Sequence, residues 1–204
     1  MKMMKNLKKI NLLLVIILPG LLSTCKDVPV PKPRGYFRID FPQKNYVAFD
    51  DTLLTKGTIP LSFDYPSYGW ITSNIDNLAE PGWFNIDFPG YRAKIHLTYK
   101  EIQNNLDNLL EQTYRLNIKN HITKADAINE ELISNPEYKV YGMLYDLKGN
   151  TATAVQFFVT DSTRHFLRGS LYFSAVPDAD SLAPVIDFFR EDIIRIIETL
   201  KWKY

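Results

Sequence analysis

The sequence predicts an α+β domain: a mainly antiparallel β-sheet with helices packed on it. Three patterns predict it. Residues 35–42, 59–65, 82–89 and 91–99 alternate apolar and polar side chains with a period of two, as half-buried strands do. Residues 138–147, 151–160 and 164–173 are β-rich and joined by turn residues, so an antiparallel meander is the simplest outcome. Residues 101–116 and 182–200 repeat apolar side chains at helical spacing, and such faces need a partner layer.

Taken in order, the chain opens with Lys2, Lys5, Lys8 and Lys9, then an apolar run over residues 12–18, then Pro19-Gly20 and Leu22-Ser23-Thr24-Cys25. A basic head, a short apolar middle and a zone of small residues make a secretory signal peptide. A bilayer-spanning helix needs about 20 predominantly apolar residues, so this run reads as export and processing. Leu22-Ser23-Thr24-Cys25 resembles a bacterial lipobox, in which the thiol takes a diacylglycerol and the chain is cut just before it. Thr24 is larger than the Gly, Ala or Ser usual beside the cut. The alternative is an inert cysteine behind an ordinary signal. Several acyl chains on Cys25 would hold the protein permanently, since each buried methylene contributes about 0.8 kcal/mol.

The expected organisation is a signal peptide over residues 1–24, a lipidated cysteine and tether over 25–34, and one α+β domain over 35–204. Removing the four signal lysines from 24 basic residues, against 23 acidic ones, leaves a charge of −3. A mildly acidic chain lacks the basic stripe of a nucleic-acid binder. Cys25 is the only cysteine, so the domain must be stable outside the cytoplasm without disulfides. The tether reads Lys-Asp-Val-Pro-Val-Pro-Lys-Pro-Arg. Its alternate prolines favour an extended spacer, roughly 25 Å long.

In the domain, Gly35-Tyr-Phe-Arg-Ile-Asp-Phe-Pro42 reads as a strand, and the phrase returns at Gly82-Trp-Phe-Asn-Ile-Asp-Phe-Pro89. Residues 43–57 read as loop. Ile59, Leu61, Phe63 and Tyr65 share one strand face, and residues 70–75 are a short partner. Pro89-Gly90 suits a type II turn, within a connection wider than two residues. The following strand sets Ala93, Ile95 and Leu97 on one face and Arg92, Lys94, His96, Thr98 and Lys100 on the other, a solvated face paired with Asp87 or an anion site. A helix is expected over 101–116, then a shorter one over 124–133, capped by Thr123 and ended by Asn135-Pro136. After the meander, Asp180 or Ser181 caps a last helix, and Trp202 tucks against the sheet edge. The layout resembles the α/β sandwich of PsbP-type proteins in topology.

Catalytic motifs are missing: there is no Gly-x-x-x-x-Gly-Lys, His-Glu-x-x-His, Cys-x-x-Cys or Gly-x-Ser-x-Gly. His96, His121 and His165 are scattered without ligand spacing, so neither a metal nor a cofactor is expected. Asp161-Ser162-Thr163-Arg164-His165 holds an acid, a serine and a histidine, but such a run reads as turn chemistry. Gln156 and Arg168 interrupt apolar strands. A buried polar group must be hydrogen-bonded, so the two are read as an internal polar network, with a functional pocket there as the second reading. No residue is read as catalytic.

Several phrases together resemble the GldD family of gliding-motility lipoproteins of Bacteroidota. They are the two Ile-Asp-Phe-Pro strands, Ala93-Lys-Ile-His-Leu-Thr-Tyr-Lys100, Val155-Gln-Phe-Phe158 with Thr160-Asp-Ser-Thr163, His165-Phe-Leu-Arg-Gly169 and Asp180-Ser-Leu-Ala-Pro-Val185. The resemblance implies a lipid-anchored envelope protein needed for gliding over surfaces, a process linked to type IX secretion. It implies Cys25 as the modified residue and no catalytic ones. The expected role is a non-enzymatic accessory or scaffold subunit in the cell envelope, with its domain on the periplasmic side. It is held by its lipid, associates with gliding and secretion proteins, and binds no nucleic acid. The alternative is a periplasmic binding module for a lipid, peptide or glycan.

Overall fold

Seven strands make the central sheet of the computed structural model, which describes residues 38–50, 59–73 and 82–204. They are β4 (Trp70–Ser73), β5 (Trp83–Phe88), β6 (Ala93–Glu101), β7 (Ala127–Asn135), β8 (Val140–Lys148), β9 (Thr153–Thr160) and β10 (His165–Phe173). Their order is β4-β5-β6-β10-β9-β8-β7, and every pairing is antiparallel. The chain hairpins through β4, β5 and β6, leaves the sheet centre, and re-enters at the far edge as β7. It then returns by meander until β10 closes against β6. From β6 to β7 it must travel four strand spacings, roughly 19 Å. Helix α1 (Leu106–Tyr114), continued by a π-turn over Arg115–Lys119, lies in this crossover. One sheet face, here the outer one, is thereby covered.

The inner face carries the main core. Phe84, Ile86, Phe88, Ile95, Leu97, Phe157, Val159, Leu167 and Leu171 are fully or almost fully buried. Helix α2 (Ala179–Thr199) packs Val185, Phe189, Ile193, Ile196 and Ile197 into the same cluster. This is the α+β arrangement the alternating strands called for: one apolar strand face, one apolar helix stripe, joined. Short strands complete the layer. β1 (Tyr46–Ala48) pairs with β3 (Asp64–Pro66), and β2 (Leu61–Ser62) pairs with β11 (Lys201–Trp202). Trp202 is buried, stacks on His165 at 5.2 Å, and donates from Nε1 to the Lys139 carbonyl at 3.0 Å. Residues Ile39–Tyr204 form one compact unit.

Several local expectations are corrected. Residues 124–133 are strand β7 for most of their length rather than a helix. Ala, Glu and Leu favour helix only weakly, and nine paired positions along β8 outweigh that preference. Residues 38–42 form no strand; side chains hold this segment instead, with Phe41 stacked on Phe188 at 4.4 Å and the Asp40 carbonyl accepting from Tyr91 Oη at 2.9 Å. The first helix starts at Leu106, because β6 runs on to Glu101. At the β5–β6 connection Pro89–Tyr91 form a 3₁₀ turn, and the left-handed residue is Arg92 (φ 50°), not Gly90. Asp178 caps α2, accepting from Ser181 N at 3.3 Å. The signal peptide, Cys25 and the tether lie outside the described residues.

Buried within α2 is one charged residue, Asp192. It accepts from Lys44 Nζ at 2.7 Å, Tyr46 Oη at 3.0 Å and Tyr68 Oη at 2.6 Å. The segment before β1 is thereby clamped to the helix. Burial pushes the Asp192 carboxyl above its usual range, against the opposing pull of Lys44 and the two tyrosines.

Candidate functional site

Polar residues collect on the outer face of the sheet in register. One row runs Asn85, His96, Ser170, Gln156; the next runs Trp83, Thr98, Arg168, Phe158. The period of two places them there, because the neighbours of each point into the core. Helix α1 and its π-turn cover these rows, burying Leu109, Thr113, Asn117 and Ile118. The wider turn sets two adjacent residues, Asn117 and Ile118, against the sheet. Ile118 joins Tyr145 and Leu147 in a small second core.

Between helix and sheet remains a cavity of about 350 Å³. Leu109, Leu116 and Phe166 supply apolar wall, and Trp83, His96 and Arg168 supply polar groups. Arg168 donates from Nε to Asn117 Oδ1 at 3.2 Å, and from Nη2 to Gln156 Oε1 at 3.3 Å and Ser170 Oγ at 3.5 Å. Ser170 Oγ also donates to Gln156 Oε1 at 3.4 Å. All these acceptors are neutral. Burial lowers the Arg168 pKa, with Tyr172 opposing. His96 Nδ1 donates to Asn85 Oδ1 at 2.6 Å, leaving Nε2 as the acceptor nitrogen. Burial, then Arg168 and Lys94, lower the His96 pKa, so the ring is neutral at pH 7. Trp83 packs edge-on to His96 at 5.9 Å.

The structure separates other residues singled out in the sequence. His165 and Arg168 sit on opposite faces of β10. His165 Nδ1 meets Tyr99 Oη at 2.8 Å and its ring stacks on Trp202. Asp161 Oδ1 accepts from the backbone of Thr163, Arg164 and His165 at 2.9, 2.8 and 2.9 Å, which makes the run a side-chain-closed turn. Lys94 pairs with Asp87 at 3.2 Å on the exposed part of the outer face. Among the described residues no group of three or more His, Cys, Asp or Glu is placed to hold a metal ion.

Comparison with known proteins bears on most of the chain. The family model for the gliding motility lipoprotein GldD matches residues 26–202. The chain belongs to the GldD family of gliding motility lipoproteins. Among solved structures it is similar to the solution structure of cyanobacterial PsbP (CyanoP) from Synechocystis, at 14% identity and a TM-score of 0.46, covering 90% of this chain and 99% of that one. No curated protein matches.

Two residues at this site of the GldD-family chain escape a sequence reading: Trp83, which lines the cavity, and Asn117, which holds Arg168. Trp83 belongs to a strand whose alternation points it outward, where a solvated role is the default. Asn117 lies between Leu116 and Ile118, and a single polar residue in an apolar stretch was the available signal. His96 was visible on the basic face of β6. That face is roofed by α1 only because the crossover must pass over it, and nothing local in β6 encodes this.

Proposed function

We propose that the protein is a lipid-anchored, non-enzymatic accessory component of the gliding apparatus, linked to type IX secretion. Acyl chains on Cys25 hold it to an envelope membrane with its domain on the periplasmic side. The observation that carries this reading is the family match, which begins at residue 26, directly after the lipobox cysteine, and runs to residue 202. A lipid anchor also suits a chain in which, among the described residues, no helix is long and apolar enough to cross a membrane.

The test is a clean deletion in a gliding host, complemented by the wild-type chain or by Cys25→Ala, with crosslinking pull-down from intact cells. Expected results are lost spreading on deletion, failed rescue by Cys25→Ala, and recovery of envelope motor or secretion proteins. Normal spreading and secretion in the deletion strain would refute the proposal.

A further inference from the structure

We infer that the cavity under helix α1 binds a small amphipathic anion: one carboxylate or phosphate group carried on an apolar body. The inference goes beyond the accessory role, and each can fail without the other.

The first ground is the cation. Arg168 is half-buried, and its bonds go to Asn117, Gln156 and Ser170, none of them charged. No Asp or Glu lines the cavity. Among the described residues Nη1 has no partner. Buried charges are normally paired, because desolvating an unpaired ion is expensive. A guanidinium fixed at Nε and Nη2 by neutral oxygens, with Nη1 left over, is oriented to receive an anion.

The second ground is independent of charge. Trp83 Nε1, Asn117 Nδ2 and Gln156 Nε2 are buried without an acceptor. Asn117 and Gln156 are both 0% exposed, and Arg168 holds their oxygens. Rotating either amide would turn NH₂ toward a guanidinium, donor against donor, so the orphaned donors are fixed in place. Buried donors in native proteins find acceptors. Two of them belong to the amides that hold Arg168, and the third, Trp83 Nε1, belongs to a residue that lines the cavity with Arg168; an anionic oxygen with several lone pairs suits donors of this kind. His96 is neutral, and Lys100 also lines the cavity, so its lining carries basic side chains and no acidic ones.

The third ground is shape. About 350 Å³ falls in the size range of small-ligand pockets and admits roughly twelve water-sized groups. Leu109, Leu116 and Phe166 give an apolar part of the wall, which suits an apolar body and not a free inorganic ion alone.

The test uses the full chain in phosphatidylcholine nanodiscs, titrated by calorimetry with 4-phenylbutyrate, phenyl phosphate and the neutral 4-phenylbutanol. Wild type should bind both anions about tenfold or more tighter than the alcohol, since charge-assisted bonds are the stronger ones. Arg168→Met, which keeps the stem and removes the fork, should abolish that preference. Trp83→Phe, which removes Nε1 together with part of the indole ring, should weaken the anions severalfold more than it weakens the alcohol. Lys94→Gln, outside the cavity on the same face, should change nothing. Circular dichroism and thermal unfolding of each variant report its fold, and Trp83→Phe keeps the test open should Arg168→Met fail to fold. Repeating the titration in phosphatidylglycerol nanodiscs separates the sources: competition assigns a lipid headgroup, and its absence assigns a free metabolite. Both results support the site, because both require the anion to bind. Equal binding of alcohol and anions, anion binding that survives Arg168→Met, or no binding at about 10 mM would overturn the inference.

Discussion

Replacing Asp192 with alanine should be among the most damaging single changes in the domain, and its size follows from the structure. The carboxylate is 0% exposed and receives three donors, from Lys44, Tyr46 and Tyr68. A hydrogen bond to a charged group contributes about 1.5–3 kcal/mol, so independent losses would exceed about 4 kcal/mol. They are not independent. The three donors are half-buried and can turn toward water, and Lys44 keeps its bond to the Phe188 carbonyl and its place over the Phe188 ring at 3.5 Å. Removing one member of a buried pair costs about 3–5 kcal/mol, and this relief points to about 3. Denaturant unfolding should show that loss as a lower midpoint at unchanged slope.

The partner experiment isolates the cause. Asp192→Leu combined with Lys44→Met removes both charges and fills the space with apolar groups, and should return to within about 1 kcal/mol of wild type. There is also a pH signature. The native Asp192 pKa is raised by burial, so the native state holds this proton more tightly than the unfolded chain. Its stabilising contribution is complete below the unfolded value of 3.8 and is lost as pH rises through the native value. Asp192→Asn should remove that part of the pH dependence. A loss under about 1 kcal/mol for Asp192→Ala, or additive losses in the double variant, would refute the clamp.

The remaining predictions are briefer. Burial pulls the Asp161 carboxyl up, but the backbone N–H groups of Arg164, His165 and Thr163, with the Thr163 hydroxyl, outweigh it and hold the pKa at about 2. Its contribution, on the order of 2 kcal/mol, is therefore present above pH 3.8 and lost as pH falls through about 2, the opposite slope to Asp192; Asp161→Ala should flatten acid unfolding in that window. At Gly142 a Cβ would sit 1.9 Å from the Phe158 carbonyl oxygen, which is backbone and cannot swing aside. Gly142→Ala should thus cost about 3 kcal/mol or more, read by thermal unfolding. Cys25→Ala should leave the thermal midpoint of the domain unchanged while moving the protein from the membrane to the soluble envelope fraction, and membrane retention would count against the anchor.

How much of this was legible in the sequence depends on how local each cause was. The meander strands and α2 were readable because each carries its own period: Phe157 and Val159 alternate, and Phe189, Ile193, Ile196 and Ile197 recur on one stripe. Strand β7 was not, because Ala127, Glu130, Glu131 and Leu132 lean toward helix, and what makes them a strand is the neighbouring edge of β8. The same holds for residues 38–42. Their alternation of Ile39 and Phe41 is real, but it serves side-chain docking on α2 and on Tyr91 of the β5–β6 turn rather than a ladder.

The cavity lies between these two cases. Gln156 and Arg168 stood out because each breaks an apolar run, and a polar break in a strand is a local signal. What surrounds them is not local. Asn117 comes from a π-turn far along the chain, Trp83 from a strand two places across the sheet, and the roof exists because the β6–β7 connection has to traverse the outer face. A crossover helix with only a stability role would meet an apolar sheet face there, as Ile118 does with Tyr145 and Leu147. Over Arg168 it meets a cation and two orphaned donors, Trp83 Nε1 and Gln156 Nε2, and brings a third of its own, Asn117 Nδ2. Local patterning that is otherwise consistent with the fold fails at this one place, and such failures concentrate where a surface has been shaped for something other than stability.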